Sequence, residues 1–341
     1  LVIMDLNMPG HDGFSFLQDL AEREYTGPVV IASGEQANVL SSAKQIARRL
    51  KLAPVATIAK PVTIPDLESA VAAAKAFNAS RPMPRGGSNG LSANRLEPAL
   101  VYQLQFNTFT NSVSGSEALL RARNERGEFL GPGPILSKAK TPEAAFELTG
   151  ELLEIFCREV AQMRALGCRW PFSFNVDARP LEDPRFVELA KSLCDRNRLE
   201  PEDVVLELTE QHLPKDPSIL LSTIARLRMA GFRLAMDDFS TGAASFDMLR
   251  DGAFSEVKLD MDLTKSAVEF EASRAFIRNL VGIAQDLDLR LVAEGIETEN
   301  EERLMEALGV RHMQGYRFGR PVPAKSVLKL ADELSAQNFA Q

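Results

Sequence analysis

The first 80 residues alternate short apolar runs with amphipathic stretches. Apolar runs bounded by turn residues predict buried strands, and apolar positions recurring every three or four residues predict helices. The predicted elements are, in chain order, a strand at Leu1–Asp5, a helix at Phe14–Arg23, a strand at Pro28–Ser33, a helix at Val39–Leu50, a strand at Val55–Lys60 and a helix at Ile64–Phe77. Such alternation favours a doubly wound α/β domain over residues 1–78, with a parallel sheet covered by helices.

Residues 79–94 break this pattern because proline, glycine, serine and asparagine crowd together with almost nothing apolar, which predicts a linker. Strand-like runs return in residues 95–341, separated by helical patterns. They lie at Phe172–Val176, Val204–Leu208, Arg233–Met236, Glu256–Leu259 and Arg290–Ala293. The length of this segment and its regular alternation of strands and helices are typical of a (β/α)8 barrel of the TIM type, which has ~250 residues.

Composition narrows the function classes. The chain has 45% hydrophobic and 25% charged residues, which excludes disordered and fibrous architectures. Its formal net charge of −8 excludes a broad polyanion-binding surface, so any contact with a phosphate needs a focused site or a bound cation. No window approaches the ~18 apolar residues of a membrane helix, and no charged n-region followed by an apolar h-region opens the sequence, so we expect no secretory leader. We expect a cytoplasmic protein that binds neither membrane nor DNA.

The three cysteines show no CxxC spacing, and the three histidines form no HxxxH pair. The sequence therefore offers no ligand set for a zinc site. Any metal must therefore be held by oxygen ligands, which favours magnesium, manganese or calcium.

Polar residues stand at or near the expected carboxyl ends of most barrel strands. They are Glu117, Asn175, Glu207, Asp237, Asp238, Lys258, Glu294 and Glu297. Carboxyl strand ends of a barrel converge on one pocket, where this many acids repel one another unless cations neutralise them. The pattern predicts bound metal, with two ions. Taken singly, each residue has an ordinary alternative as an exposed helix pair, a turn cap or an edge-strand charge.

The segment Leu1–Gly13, LVIMDLNMPGHDG, resembles the phospho-acceptor strand and loop of response-regulator receiver domains. The resemblance implies a flavodoxin-like fold, phosphorylation of Asp5 with Ser33 and Lys60 contacting the phosphoryl group, and a cognate histidine kinase. The sequence begins at the third strand of the receiver pattern and lacks the acidic pair that holds Mg²⁺ for phosphorylation in the family, through either truncation or degeneration of the domain. Whether Asp5 is phosphorylated without that pair stays open.

Further motifs lie in the longer segment. They are SEALLR at Ser116–Arg121, ELTE at Glu207–Glu210, DDFSTG at Asp237–Gly242, VKLD around Lys258, AEGIE around Glu294 and QGY at Gln314. In this order they resemble the EAL-domain family, whose members hydrolyse the second messenger cyclic di-GMP to linear pGpG. The resemblance spans roughly Tyr102 to Pro323 and implies a barrel fold with two Mg²⁺ or Mn²⁺ ions.

The resemblance also implies a role for each matched residue. The implied metal ligands are Glu117, Asn175, Glu207, Asp237, Asp238 and Glu294; the catalytic residues are Lys258, Glu294 and Glu297; the substrate-binding residues are Gln103, Arg121 and Gln314; and Glu210 supports the neighbouring loop. Ca²⁺ is expected to inhibit, because its longer bonds misplace the nucleophile. A homodimer through the barrels is expected, with the Ser240–Phe246 loop coupling the interface to the metal site.

The loop after the aspartate pair departs from the family, which usually has glycine and tyrosine where this chain has Ser240 and Ala243. Three functions stay open. The first is a metal-dependent cyclic di-GMP phosphodiesterase regulated by the receiver. The second is a catalytically silent cyclic di-GMP receptor that signals through a protein partner, and the third is a structural signalling scaffold. The sequence does not indicate the preferred metal, the pathway or the sign of receiver control.

Overall fold

The structure, a computed structural model, describes residues 1–8, 11–23, 25–34, 40, 43–44, 46–47, 50, 52–80, 96–209, 218–239, 249 and 254–338. The chain forms two compact units, Leu1–Leu91 and Ser92–Gln341. Most of the predicted linker lies outside the described residues, so its boundaries stay a prediction.

The first unit is built on a parallel sheet. Its elements are β1 (Val2–Asp5), β2 (Asn7–Met8), β3 (His11–Asp12), α1 (Gly13–Glu22), β4 (Pro28–Ser33), β5 (Ala53–Ala59) and α2 (Ile64–Ser80). Strands β1 and β5 flank β4 in parallel. Every residue of β4 is buried, as expected of a central parallel strand. The predicted strands and the two predicted helices at α1 and α2 are confirmed, whereas the helix predicted at Val39–Leu50 falls largely outside the described residues.

The second unit contains a closed barrel. Its elements are β6 (Glu97–Asn107), β7 (Ser112–Arg123), β8 (Phe129–Leu130), α3 (Gly133–Leu136), α4 (Pro142–Leu166), β9 (Phe172–Asn175), α5 (Ala178–Leu181), α6 (Phe186–Asn197), β10 (Val204–Thr209), α7 (Ser218–Met229), β11 (Arg233–Phe239), β12 (Glu256–Leu259), α8 (Met261–Glu269), α9 (Glu271–Asp286), β13 (Arg290–Ala293), α10 (Glu299–Ala307), β14 (His312–Gln314) and α11 (Val327–Asn338). The five strands predicted in this segment are confirmed, and the structure contains four further strands, β6, β7, β8 and β14.

Closure of the barrel depends on one antiparallel strand. The strand order is β6, β14, β13, β12, β11, β10, β9, β7, and β7 then pairs with β6. Strand β6 runs antiparallel to both of its neighbours, whereas the other described barrel pairings are parallel. The barrel therefore differs from a uniform (β/α)8 barrel, in which all eight strands run parallel.

Two asparagines stabilise the turn of the β6–β7 hairpin. The side-chain oxygen of Asn107 accepts hydrogen bonds from the backbone N–H groups of Phe109, at 2.9 Å, and Thr110, at 3.1 Å. Asn111 adopts a left-handed conformation with φ of 54°, which asparagine tolerates better than most residues. This tight turn sets the long antiparallel register that brings Gln103 opposite Glu117.

Apolar side chains fill the space between the strands and the surrounding helices, with Tyr102, Phe106, Phe156 and Phe172 among the largest fully buried ones. The longest helix, α4, begins at the cap residue Thr141, whose hydroxyl accepts from the Ala144 N–H, and ends at Gly167 in a left-handed conformation. Within the described residues, no helix combines the length and the apolarity needed to cross a membrane.

Candidate active site

A buried lysine lies at the centre of an acidic cluster inside the barrel. The side chain of Lys258, on β12, is fully buried. Its ammonium lies 2.6 Å from Glu294, 2.8 Å from Glu207, 3.1 Å from Glu117 and 3.3 Å from Asp237. These acids come from the end of β13 and from β10, β7 and β11. The barrel thus gathers residues from five strands around one cation, as the strand-end pattern in the sequence predicts.

Glu117 is the most firmly held of these acids. Asn175 donates to its Oε1 at 2.8 Å, and Gln314 donates to its Oε2 at 2.5 Å. Gln314 also donates to the side-chain oxygen of Gln103 at 3.5 Å, and the amide nitrogen of Gln103 in turn donates to the Gly319 carbonyl at 3.2 Å. Three residues predicted from separate motifs therefore form one hydrogen-bonded chain that fixes the orientation of the Glu117 carboxylate.

Asp237 and Asp238 face the same cleft although they are consecutive in a strand, where neighbouring side chains normally point to opposite faces. The pairing of β11 with β12 shifts register between Met236 and Phe239, and Asp238 has a positive φ of 54°. This bulge turns the second aspartate back toward the first. One oxygen each from Asp237, Asp238 and Glu294 lie within 4.8 Å of one another.

The positive φ of Asp238 predicts an unusual order of stabilities. Alanine normally gives a more stable folded protein than glycine does, but at a position with a left-handed backbone conformation glycine is the more stable choice. We expect Asp238→Gly to melt at a higher temperature than Asp238→Ala, by an amount corresponding to about 1 kcal/mol. Thermal denaturation of the two variants measures the difference. A higher melting temperature for Asp238→Ala would contradict the backbone conformation described here.

The acids of the cluster have perturbed pKa values because they share a buried site. Burial, together with the neighbouring acids, raises the pKa of Glu207 well above its ordinary value and that of Glu294 to about 8. Burial and the charge of Asp237 raise the pKa of Asp238 to about 6. Burial also opposes ionisation of Glu117, but the charge of Lys258 and the hydrogen bonds described above outweigh it and lower the pKa. Such perturbation is typical of functional sites.

Lys258 itself stays charged. Burial lowers its pKa, but the four surrounding carboxylates outweigh that effect and raise the pKa well above the ordinary value. The lysine therefore acts as a hydrogen-bond donor at neutral pH. A protonated ammonium cannot accept a proton from a nucleophile.

The cluster fits divalent cations bound through oxygen. Its carboxyl groups outnumber the single ammonium of Lys258, and Oε1 of Glu207 is buried without a hydrogen bond. Carboxylate and amide oxygens are the ligands that Mg²⁺ and Mn²⁺ prefer. A buried carboxylate oxygen that accepts no hydrogen bond is costly unless a cation contacts it.

An open cleft of about 530 Å³ lies over the cluster. Its walls add Asp260, Met261, Lys265, Glu297 and Tyr316 to the acids already described. The strand-end pattern in the sequence did not single out Asp260 as a site residue, although Asp260 follows Lys258 by two residues at the same strand end. Its carboxylate caps α8 by accepting from the Asp262 N–H at 2.9 Å, and its charge contributes to the raised pKa of Asp238.

Glu297 lies in the cleft wall but does not contact Lys258. Its carboxylate pairs with Lys265 at 2.9 Å, and both side chains are partly exposed. Its backbone N–H donates at 2.8 Å to Glu301, the buried acid of a capping box with Thr298 at the start of α10. The AEGIE segment is therefore anchored by a helix cap, and Glu297, which the resemblance implies to be catalytic, contacts Lys265 rather than the central lysine.

Arg121 lines a second cavity of about 270 Å³, which shares Leu119 with the cleft. Its walls are mostly apolar, with Asp177 and Arg179 among the polar exceptions. Arg179 donates to both carboxylate oxygens of Asp177, at 3.0 and 2.7 Å, and to the Ala139 carbonyl. The structure therefore places Arg121 in this cavity and not among the residues that line the cleft over the cluster.

Several predicted features lie outside the described residues: Glu210, the altered positions Ser240 and Ala243, and Phe246. Leu249, three residues after the Ser240–Phe246 loop, is buried within the chain itself. The dimer and the loop coupling stay predictions.

In the first unit, the predicted receiver residues meet at the carboxyl ends of the parallel strands. Asp5 ends β1, Ser33 ends β4, and Lys60 follows β5 directly. The ammonium of Lys60 forms an ion pair with the Asp5 carboxylate, and the Lys60 N–H donates to the Ser33 carbonyl at 2.8 Å. The strand order gathers these residues as expected for a doubly wound sheet.

Comparison with protein families agrees with this division. A profile of the EAL domain matches residues 88–321, and a profile of the response regulator receiver domain matches residues 1–72.

Two curated relatives from Pseudomonas aeruginosa are named as cyclic di-GMP phosphodiesterases. One of them, RocR, is 28% identical over 340 residues, which cover 96% of this chain and 86% of the relative. The other is 32% identical over 223 residues, which cover 65% of this chain and 38% of the relative. The chain thus spans well under half the length of the second relative.

Solved structures show the same fold. The PaMucR phosphodiesterase in complex with c-di-GMP superposes with a TM-score of 0.62 at 28% identity, over 67% of this chain and 94% of that chain. The EAL domain of Mycobacterium smegmatis DcpA superposes with a TM-score of 0.58 at 24% identity, over 69% of this chain and 96% of that chain.

Proposed function

Because the chain belongs to the EAL domain family, we propose that it is a metal-dependent phosphodiesterase that hydrolyses cyclic di-GMP to linear pGpG. The observation that carries the proposal is the buried cluster around Lys258, in which four carboxylates face a single ammonium. Relatives named as cyclic di-GMP phosphodiesterases support the choice of substrate.

Oxygen atoms on two sides of the cluster would hold the cations. Glu117, Asn175, Glu207 and Asp237 would hold the first, and Asp237, Asp238 and Glu294 the second. When bound, Mg²⁺ or Mn²⁺ supplies Lewis acidity at the phosphodiester and offsets the charge of the carboxylates. The bulge that turns Asp238 toward Asp237 makes the shared aspartate possible.

Lys258 would orient the attacking water. Its raised pKa keeps it protonated, so it donates a hydrogen bond to the water oxygen and does not remove a proton. Its fixed position between Glu207 and Glu294 limits where that water can lie. Glu297, held by Lys265 and the α10 cap, would keep the AEGIE segment and therefore Glu294 in place.

Gln103, Gln314 and Arg121 would bind the substrate. The two glutamines lie in the chain of hydrogen bonds that ends on Glu117, so substrate contact and carboxylate orientation are linked. Arg121 offers a planar guanidinium that suits a phosphate. The apolar cavity beside it has room for one purine base.

The receiver unit would control the enzyme through phosphoryl transfer from a histidine kinase to Asp5. The ion pair of Asp5 with Lys60 supports this proposal, because a phosphoryl group at Asp5 would add negative charge within reach of the same lysine.

The decisive test combines metals and substrate. Full-length protein should convert cyclic di-GMP in Mg²⁺ or Mn²⁺ and lose all conversion in EDTA, as measured by chromatography of the nucleotides. In Ca²⁺ it should bind cyclic di-GMP, as measured by calorimetry, with turnover reduced by at least ~10-fold because the longer Ca²⁺–oxygen bonds disturb the reacting geometry. Binding without conversion in any metal would favour the silent receptor. Calcium turnover equal to that in magnesium would refute the metal geometry.

A further inference from the structure

A second polar cluster lies inside the barrel. It is centred on Arg290, the first residue of β13, whose side chain is 18% exposed. The guanidinium donates at 2.7 Å to Oε1 of Gln105 on β6 and at 3.1 Å to the hydroxyl of Ser114 on β7. It also forms an ion pair at 3.2 Å with Oε2 of Glu256 on β12. In the strand order β14 lies between β13 and β6, and β7 lies beyond β6, so these contacts cross the interior of the barrel.

This second cluster lies one layer below the acidic cluster. Glu256 precedes Lys258 by two residues on β12, and Gln105 follows Gln103 by two residues on the antiparallel β6. Residues two apart in a strand point to the same face and are separated by ~6–7 Å along the strand. Interior side chains of a barrel stack in such layers. The cluster around Arg290 therefore forms the floor of the candidate active site.

Glu256 brings a buried carboxyl group close to the acidic cluster. It is 3% exposed, and its Oε1 accepts no hydrogen bond from the described residues. In the sheet it aligns with Glu207 across the small residue Ala235 of β11. Burial is the main cause of the raised pKa of Glu207, and the charge of Glu256 adds to it. Glu256 is thus near enough to act on the acidic cluster by its charge.

The ion pair with Arg290 determines which cation Glu256 contacts. A buried carboxylate is costly unless a cation or a hydrogen-bond donor satisfies it. The next residue on the same face of β12 is Lys258, whose ammonium sits at the end of a flexible four-carbon chain. With Arg290 in place, Glu256 is paired from below, and the ammonium of Lys258 stays among the acids above it.

The guanidinium is held in a closely fitted space. A Cβ atom at Gly115 would lie 2.2 Å from Oε1 of Gln105 and 3.1 Å from Nη2 of Arg290, so glycine leaves the room in which these two groups meet. The Ser114 hydroxyl donates to the Gln105 carbonyl at 3.4 Å, and Nδ1 of His312 lies 3.0 Å from that hydroxyl. Burial and the neighbouring arginines lower the pKa of His312 to about 3, so its ring is neutral. The positive charge at this place comes from Arg290.

We propose that Arg290 is a positioning residue for the lysine of the acidic cluster. By pairing with Glu256, it keeps that carboxylate from drawing Lys258 away from the acids and from the attacking water. The proposal rests on the proposed function and extends the active site to the layer below it. Arg290 acts through Glu256 and is not expected to contact the substrate.

Steady-state kinetics with cyclic di-GMP in Mn²⁺ tests this role. Arg290→Met should lower kcat by roughly 10- to 100-fold with KM within about 3-fold of wild type, because a lysine displaced by about 1 Å affects the nucleophile and not substrate binding. Arg290→Lys keeps the charge and should retain kcat within about 5-fold.

A double variant separates positioning from support of the fold. Glu256→Met in the Arg290→Met background removes the carboxylate that would draw Lys258 downward, and it should restore kcat to within about 3-fold of wild type. Replacing both members of a buried ion pair by apolar groups is often neutral for stability, so this variant should also melt at a higher temperature than Arg290→Met alone. A purely structural arginine would give a double variant no more active than the single one.

Arg164→Met is the matched control. Arg164, on α4, is also 18% exposed and forms an ion pair with Asp203, in the turn before β10. This pair joins a surrounding helix to a turn and does not lie in the layer below Lys258. Its loss should lower the melting temperature but leave kcat within about 2-fold of wild type.

Each other outcome overturns a specific claim. If wild type does not hydrolyse cyclic di-GMP, the proposed function fails and the positioning role fails with it. If wild type is active and Arg290→Met keeps kcat within 3-fold, Glu256 does not draw on Lys258 and the positioning role alone is wrong. If the double variant folds but is no more active than Arg290→Met, or is inactive where Arg290→Met does not fold, the arginine only supports the barrel. An equal loss of kcat in Arg164→Met would show a general effect of destabilisation and would also refute the positioning role.

Discussion

A Lys258→Met variant should lose at least ~10²-fold in turnover and unfold at a clearly lower temperature than wild type in metal-free buffer. In the described cluster the ammonium of Lys258 contacts four carboxyl groups, three of them buried, and removing one partner of a buried ion pair costs about 3–5 kcal/mol. For a domain of this size the cost corresponds to roughly 6–20 °C in melting temperature. Steady-state kinetics and thermal denaturation measure the two effects.

The thermal effect should depend on pH and on metal. Glu207 and Glu294 already have raised pKa values, and removal of Lys258 raises them further. The folded variant then binds more protons than its unfolded chain, so its stability falls as pH rises above the ordinary glutamate pKa of ~4.3. The loss relative to wild type should be larger at pH 8 than at pH 6, and Mn²⁺ should reduce it by replacing the missing charge.

Lys191→Met is the matched control. Lys191 lies on α6 in an exposed pair with Glu188 at 3.4 Å, and such a pair contributes less than ~1 kcal/mol. Its replacement should change neither turnover nor melting temperature appreciably. If Lys258→Met kept wild-type turnover, or unfolded no earlier than Lys191→Met, the lysine-centred cluster would not be the functional site.

A Glu117→Gln variant should retain its fold but lose at least ~10²-fold in turnover, with Mn²⁺ binding weakened by about 10- to 100-fold. The amide keeps the shape and can still accept from Asn175 through its oxygen, but its NH₂ group meets the donors of Gln314 and Lys258. The change therefore removes one charge and misorients one ligand. Kinetics, calorimetry with Mn²⁺ and circular dichroism measure activity, metal affinity and fold.

Glu97→Gln provides the comparison on the same hairpin. Glu97 lies on β6, is exposed, and pairs with Arg123 on β7 at 3.2 Å. Its substitution should leave turnover and Mn²⁺ affinity unchanged. Equal activity of the two variants would show that the buried carboxylate of Glu117 holds no metal.

Much of the fold follows from local patterns. The strands at Glu256–Leu259 and Arg290–Ala293 match the structure residue for residue, because the aliphatic residues of each segment lie between clear turn signals. The β6–β7 hairpin is different. Its antiparallel pairing of Gln103 with Glu117 is set by barrel closure, and SEALLR read alone equally suits a helix with an i,i+4 pair.

The sequence predicts which residues lie together better than it predicts how they are arranged. The strand-end pattern predicts that Glu207, Asp237 and Glu294 share one pocket, and in the structure all three carboxyl groups contact Lys258. The β-bulge that turns Asp238 inward depends on register with β12, and the pairing of Glu297 with Lys265 depends on how α8 packs. These arise from tertiary contacts between distant segments, which no local pattern encodes.

The carboxyl groups around Lys258 also help to decide between an enzyme and a silent receptor. A receptor needs the substrate-binding residues such as Arg121 and Gln314, but it gains nothing from a buried excess of carboxylates, whose desolvation is costly. The retained cluster around Lys258 is therefore hard to explain without cations that neutralise it.

Hydrolysis at the Lys258 cluster can be tested by the mass of the nucleotide formed from cyclic di-GMP in H₂¹⁸O. With Mn²⁺ present, we expect a single linear product that has gained one water and carries one ¹⁸O on its terminal phosphate, and no product after chelation. Cyclic di-GMP recovered unchanged from protein that binds it in Mn²⁺ would contradict hydrolysis at this site.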